Sequence, residues 1–233
     1  MAVWKVHSDS AVRYERNPAT WTGRRVDLTG KAVWNSCSND FGTTAVSSRH
    51  VVYAQHVAGP YPVGTIIRFI TNANAVVERR VVASTRIGAS DIDLSTLDVS
   101  LPETIHWFRV MPVHWFLRCS RRVEGSTGGI PCVIMDANTD GVIVADLVKF
   151  YVGAFAAAVP TDSRRRLFAR TLRAGDSGSP MFLLLGDELV LDGMFSTPWS
   201  GPEFGSMLGE LDSAMRAGGA QLTIADVTMF AAP

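Results

Sequence analysis

The sequence predicts an all-β protein, a sandwich or barrel of many short strands followed by one C-terminal helix. Three observations carry that expectation. Short runs rich in β-branched and aromatic residues recur along the chain, turn-forming clusters separate many of them, and a single segment shows helical periodicity. The 233 residues, 47% of them apolar, suffice for one large β domain or two small barrels that share a cleft.

The expected strands, in order, are Lys31–Trp34, Thr44–Ser47, Val51–Ala54, Thr65–Thr71, Val76–Val82, Ile92–Leu97, Arg109–Leu117, Cys132–Met135, Val142–Tyr151, Pro180–Leu185 and Glu188–Ser196. Turn signals lie at Asn39–Gly42, Gly59-Pro60, Asn72–Asn74, Asp140-Gly141 and Gly186-Asp187, the last two suited to hairpins. Gly125–Gly129 and Pro160–Arg166 read as surface loops. The helix spans Ser206–Arg216, where Met207, Leu208, Leu211, Ala214 and Met215 recur at helical spacing and Gly218-Gly219 supplies a stop.

Lys plus Arg and Asp plus Glu each total 22, so charge favours neither a nucleic-acid nor an anionic-membrane partner, and Arg164–Arg166 reads as a solvated run. The cysteines Cys37, Cys119 and Cys132 are too few and scattered for a disulfide framework, and no C-x-x-C pair suggests zinc. The opening stretch MAVWKVHSDSAVRYERN has no continuous apolar segment, and runs such as Met181–Leu185 are far below membrane-spanning length. The expectation is a soluble protein of a reducing compartment, or one exported by a signal outside this stretch of chain. No metal or cofactor is expected.

The segment Arg173–Pro180, Arg-Ala-Gly-Asp-Ser-Gly-Ser-Pro, carries the sharpest chemical signal. A serine hydroxyl attacks well only if a base takes its proton and donors await the oxyanion. Gly175 allows a turn in which its own amide and that of Ser177 point at one spot, and Gly178 leaves room for a substrate. The second residue after Ser177 is Ser179, so this is not the G-x-S-x-G elbow of α/β-hydrolases. The functional reading is the favoured one, although an isolated Gly-Asp-Ser-Gly is also compatible with a plain turn.

Far upstream, Val51-Val-Tyr-Ala54 reads as the second strand of a hairpin that ends just before His56. Imidazole titrates near neutrality, which suits a general base. His7, His50, His106 and His114 read as ordinary residues, and a lone histidine after an apolar strand is often one too.

Together these segments resemble the trypsin-like (chymotrypsin-fold) serine proteases. Val51–His56 resembles the family's strand-then-histidine signature, and Gly175–Pro180 its nucleophile loop. Ser90–Leu97 resembles the aspartate-led apolar strand, and Leu191–Ser196 the strand whose serine supports that aspartate. The order His, Asp, Ser is the family's order. The resemblance implies two six-stranded antiparallel β-barrels with a C-terminal helix, 1–112 holding an extension and the first barrel, 113–233 the second barrel and helix. It implies an endopeptidase that works through an acyl-enzyme on a polypeptide substrate, with self-processing left open. Ser177 would be the nucleophile, His56 the base, and the Gly175 and Ser177 amides the oxyanion hole.

Two acids fit the third position. Asp91 places Ile92, Leu94 and Leu97 at apolar positions, whereas Asp93 places Ser95 where the family favours a small residue. Asp91 is preferred, as the acid that begins the paired strand. Phe41 and Val57 stand where secreted relatives carry a cysteine pair, and no Arg-Ile-Val-Gly-Gly-like activation site occurs near the start, so the chain resembles the intracellular, viral or bacterial members, which implies an intracellular or virus-associated protein. Asp176 therefore needs a partner other than a newly cut amino terminus. The family's specificity pocket maps onto Thr171 at its floor and Ser196, Thr197 and Pro198 on its wall, which implies an uncharged residue before the scissile bond. The competing class is a catalytically silent binding module on the same fold.

Overall fold

The structure is a computed structural model that describes residues 4–6, 14–17, 26–33, 42–124, 129–137, 139 and 141–228. The short strands β1 (Trp4–Val6) and β2 (Tyr14–Arg16) pair with each other. Next come β3 (Thr43–Ala45), β4 (His50–Ala54), the single-turn helix α1 (Gln55–Ala58), β5 (Ile66–Ile70), β6 (Val76–Arg86) and β7 (Ile92–Leu97). These five strands form an antiparallel sheet in the order β3-β4-β7-β6-β5.

After helix α2 (Val113–Glu124) come β8 (Ile130–Met135), β9 (Val142–Tyr151), β10 (Ala154–Ala158), the short helix α3 (Ser163–Arg166), β11 (Pro180–Leu185), β12 (Glu188–Met194) and β13 (Ser200–Gly201). Their order in a six-stranded antiparallel sheet is β12-β11-β8-β9-β10-β13. A 3₁₀ turn, Gly205–Met207, leads into the C-terminal helix α4 (Leu208–Ala217).

Both sheets curl. In the first, residues 31–33 lie between the two edges: Lys31 bridges Thr44, the Ala32 amide donates to the Thr43 carbonyl at 2.9 Å, and the Val33 amide to Arg68 at 3.0 Å. In the second, a bridge between Gly193 and Glu203 and a bond from the Met194 amide to Pro202 join β12 to the end of β13. Edges satisfied in this way leave few open backbone groups.

Strand periodicity assigns the side chains to three apolar clusters. Val51 and Tyr53 of β4 point into the interior of the first sheet with Ile67, Phe69 and Leu97. Val52 and Ala54, on the opposite face, join Met135, Phe182 and Leu191 of the second sheet in a shared core. Cys132, Leu147, Phe155, Met181 and Phe195 fill the second sheet's interior. Since β4 is covered on both faces, all five of its residues are buried. Leu211 and Met215 of α4, four residues apart, seal the shared core, and α4 packs against β7. Each fully buried side chain of this size contributes about 1.5–3 kcal/mol of hydrophobic stabilisation.

Several sequence expectations need correction. The run Arg109–Leu117 is not a strand; α2 begins at Val113, just after Pro112. Trp115 and Cys119, at i and i+4, are buried in the second core, while Leu117 and Arg118 face outward. An apolar run this short does not reveal its period. Within Pro160–Arg166, the Asp162 carboxylate accepts from the Arg164 and Arg165 amides and caps α3, so part of that loop is helical. The strand β10 was missed because alanines are weak strand signals, although the Val152-Gly153 turn and buried Phe155 fix it against β9. The first sheet has five strands, not six, among the described residues; residues 31–33 occupy the remaining gap as a bridge. Trp34, Cys37, Phe41, Asp140, His7 and most of Gly125–Gly129 lie outside the described residues.

Candidate active site

The register of β4 against β7 decides which acid meets His56. Ala54 pairs with Ile92 and Tyr53 with Asp93, so the residue after β4 faces the residue before β7. The Gln55 amide donates to the Asp91 carbonyl at 3.1 Å, and α1 then turns His56 over the Asp91 carboxylate. The His56 amide donates to Asp91 Oδ1 and His56 Nδ1 to Asp91 Oδ2, both at 2.7 Å. A carboxylate accepts, which places the imidazole proton on Nδ1 and leaves Nε2 bare. His56 Nε2 stands 3.0 Å from Ser177 Oγ, positioned to accept the hydroxyl proton. Ser196 Oγ also donates to Asp91 Oδ2.

Asp93 lies elsewhere. It projects with Tyr53 and Ser95 into the interior of the first sheet, fully buried, and neither carboxylate oxygen has a hydrogen-bond partner. Burial pushes Asp93 up to about 6, against the pull of Arg86 and with a push from Asp91. The Asp91 side chain is 25% exposed and that of His56 43% exposed.

The loop before β11 holds Ser177. The Gly42 amide donates to the Ser177 carbonyl at 3.1 Å, the Gly178 amide to Phe195 at 2.7 Å, and the Phe195 amide to Ser179 at 3.0 Å. Gly175 and Gly178 both adopt left-handed backbone, with φ of 92° and 77°. The structure gives Gly178 a reason that the sequence did not suggest. A Cβ there would run into the carbonyl of Gly42, and a Cβ on Gly42 into the Gly178 backbone, so the pair serves a close backbone-to-backbone approach. Neither the Gly175 nor the Ser177 amide donates to a backbone acceptor among the described residues.

No protein-family model matches this chain. Its sequence matches no curated protein either. The geometry and the sequence motifs therefore carry the functional reading by themselves.

Among the remaining sequence candidates, Thr171 is exposed and its carbonyl accepts from Arg170 Nη1 at 3.3 Å. Thr197 and Pro198 are also exposed, and Thr197 Oγ1 ties back to Ser200 in a tight turn. No hydrogen bond joins Thr171 to residues 196–198. His50 is buried beside Ser47, and burial, then the Arg49 charge, lower it to about 4. His106 is half-buried and bonds the 26–33 segment through its amide, and His114 is exposed; neither belongs to the site.

Three side chains at the nucleophile loop escaped the sequence reading. Asp136, Arg170 and Ser179 come together from the end of β8 and the approach to β11, and the only hint was that the buried partner of Asp176 was unassigned. Among the described residues no group of three His, Cys, Asp or Glu could hold a metal ion, and no helix is long and apolar enough to cross a membrane.

Proposed function

We propose that this chain is a serine endopeptidase of the trypsin-like kind, acting through an acyl-enzyme on two antiparallel β-barrels of the chymotrypsin type. The observation that carries the reading is the unbroken relay from Asp91 Oδ2 to His56 Nδ1, at 2.7 Å, and from His56 Nε2 to Ser177 Oγ, at 3.0 Å. The joined edges of both sheets support the architecture.

In this reading Ser177 Oγ attacks the scissile carbonyl carbon while His56 Nε2 takes its proton. The carbonyl oxygen, now an oxyanion, accepts from the Gly175 and Ser177 amides. Collapse of the tetrahedral species breaks the C–N bond, and the leaving amine takes the proton from His56. Water then repeats the sequence on the ester and releases Ser177. Asp91 fixes the imidazole tautomer and stabilises the imidazolium without accepting the proton. Ser196 holds Asp91 Oδ2 from the other side.

The substrate is a polypeptide laid along residues 196–198. Pro198 has no amide hydrogen, so the pairing there is limited to what its carbonyl can accept. None of Thr171, Ser196, Thr197 and Pro198 is an acid, which favours an uncharged residue before the cleaved bond.

The test is a fluorophosphonate, which labels an activated serine. Ser177 in the wild type should take the label, and Ser177→Ala should lose both label and peptide hydrolysis, the latter by about 10⁴-fold or more. Undiminished hydrolysis by Ser177→Ala sinks the assignment. A folded wild type that takes no label and cleaves no peptide library returns the reading to a silent binding module.

A further inference from the structure

The residue between the two candidate oxyanion donors, Asp176, turns its carboxylate inward, where it is only 2% exposed. The Arg173 amide donates to Asp176 Oδ2 at 2.8 Å, and Arg170 Nη2 reaches both carboxylate oxygens at 3.2 Å. The same guanidinium grips a second buried carboxylate. Arg170 Nη2 lies 2.6 Å from Asp136 Oδ1, and Arg170 Nε donates to Asp136 Oδ2 at 3.3 Å. Asp136 follows β8, is fully buried, and accepts from the Thr139 amide and hydroxyl at 2.8 Å. One residue on, the Ala137 amide donates to the Ser179 hydroxyl at 2.9 Å. The nucleophile loop is thus fastened to the end of β8 on both sides of Ser177.

We propose that Arg170 is the positioning residue of the oxyanion loop: by clamping Asp136 and Asp176 with one guanidinium it holds the Gly175 and Ser177 amides in place, using a cation internal to the chain. The proposal rests on the serine-hydrolase reading. An ionised carboxylate does not stay buried without a partner. Deprived of Arg170, Asp176 would keep the Arg173 amide but lose the guanidinium charge facing it, and its carboxylate would swing toward water. Gly175, in left-handed backbone, offers little resistance to that rotation, and the two peptide planes flanking Asp176 would turn with it. The planar fork of arginine can serve two carboxylates at fixed angles, which a lysine ammonium cannot reproduce. Among the described residues, the cation that holds the loop is a side chain of the segment that leads into it, Arg170.

The experiment uses the full chain as wild type, Arg170→Ala and Arg170→Lys, each checked by thermal melt. Its readouts are the rate of fluorophosphonate labelling at Ser177, kcat and KM on a p-nitrophenyl ester, and the amide NMR signals of Gly175 and Ser177. Arg170→Ala should lower labelling and kcat by about 10²–10³-fold, the loss expected when oxyanion donors are misplaced, with KM little changed. Arg170→Lys should fall in between, millimolar guanidinium should restore part of the Arg170→Ala rate, and both amide signals should shift in both variants. If Arg170→Ala does not fold, Arg170→Lys decides. A folded variant that labels at the wild-type rate with unmoved amide signals overturns the proposal. A wild type that never reacts with the phosphonate defeats the hydrolase reading instead, and the amide signals still report whether Arg170 holds the loop.

Discussion

The hydroxyl of Ser196 and the imidazole of His56 share one oxygen, Oδ2 of Asp91. That carboxylate also takes the His56 amide on Oδ1, so three donors fix it at the mouth of the site although it is partly exposed. Asp93, two residues on, has none.

The two acids should respond differently to amidation. Asp91→Asn removes the acceptor that fixes the His56 tautomer and should cut turnover by about 10⁴-fold. Asp93→Asn touches no group of the relay and should cost on the order of tenfold or less. Steady-state kinetics on both folded variants decide between them. A dead Asp93→Asn beside an active Asp91→Asn would reverse the assignment.

Gly178→Ala should be poorly tolerated. The new methyl meets the Gly42 carbonyl, which is backbone and cannot step aside, and the left-handed φ adds about 1–2 kcal/mol of strain. The expected result is a lower melting temperature with slower labelling of Ser177. An alanine variant that melts and labels as the wild type does would show that the contact between the two loops is dispensable.

Activity should survive strong reductant. Cys119 and Cys132 are free and buried, and burial, with a smaller push from Asp192, raises the Cys119 thiol to about 12 and Cys132 further still. Such thiols stay protonated and unreactive. Intact-mass analysis of unreduced protein should find no Cys–Cys link, Cys37 included; a stoichiometric link, or loss of activity in reductant, would contradict this.

Stability should fall through Asp192 as pH rises from 3.8 to about 8. Both its oxygens are buried without a hydrogen bond, and burial, then the Glu203 charge, push its carboxyl from 3.8 up to about 8. The folded protein therefore holds a proton that the unfolded chain releases. This stabilisation is complete below the unfolded value, declines as pH rises and is gone once pH has passed the folded value. In melts run from pH 5 to pH 9 (a range chosen to bracket much of that interval), the wild type should lose ground to Asp192→Asn as pH rises. Parallel melting curves for the two proteins would refute the proton's role.

The sequence by itself determined most strands of both sheets, the C-terminal helix and the order of His56, the acid and Ser177, since these depend on local alternation, helical spacing and turn chemistry. It preferred Asp91 as the acid that begins the paired strand, but alternation could not separate Asp91 from Asp93, which share a face; pairing Ala54 with Ile92 brought the first to His56 and sent the second into the interior. It misread 113–117 as strand because only the packing of Trp115 and Cys119 on the second sheet reveals a helical period. It did not assign Arg170 to Asp176, because the buried site where that guanidinium also meets Asp136 forms only when folding brings the end of β8 beside the nucleophile loop. Local pattern is written in neighbouring residues, whereas register, close backbone approach and buried charge pairing are relations between distant ones, and the tertiary structure alone decides them.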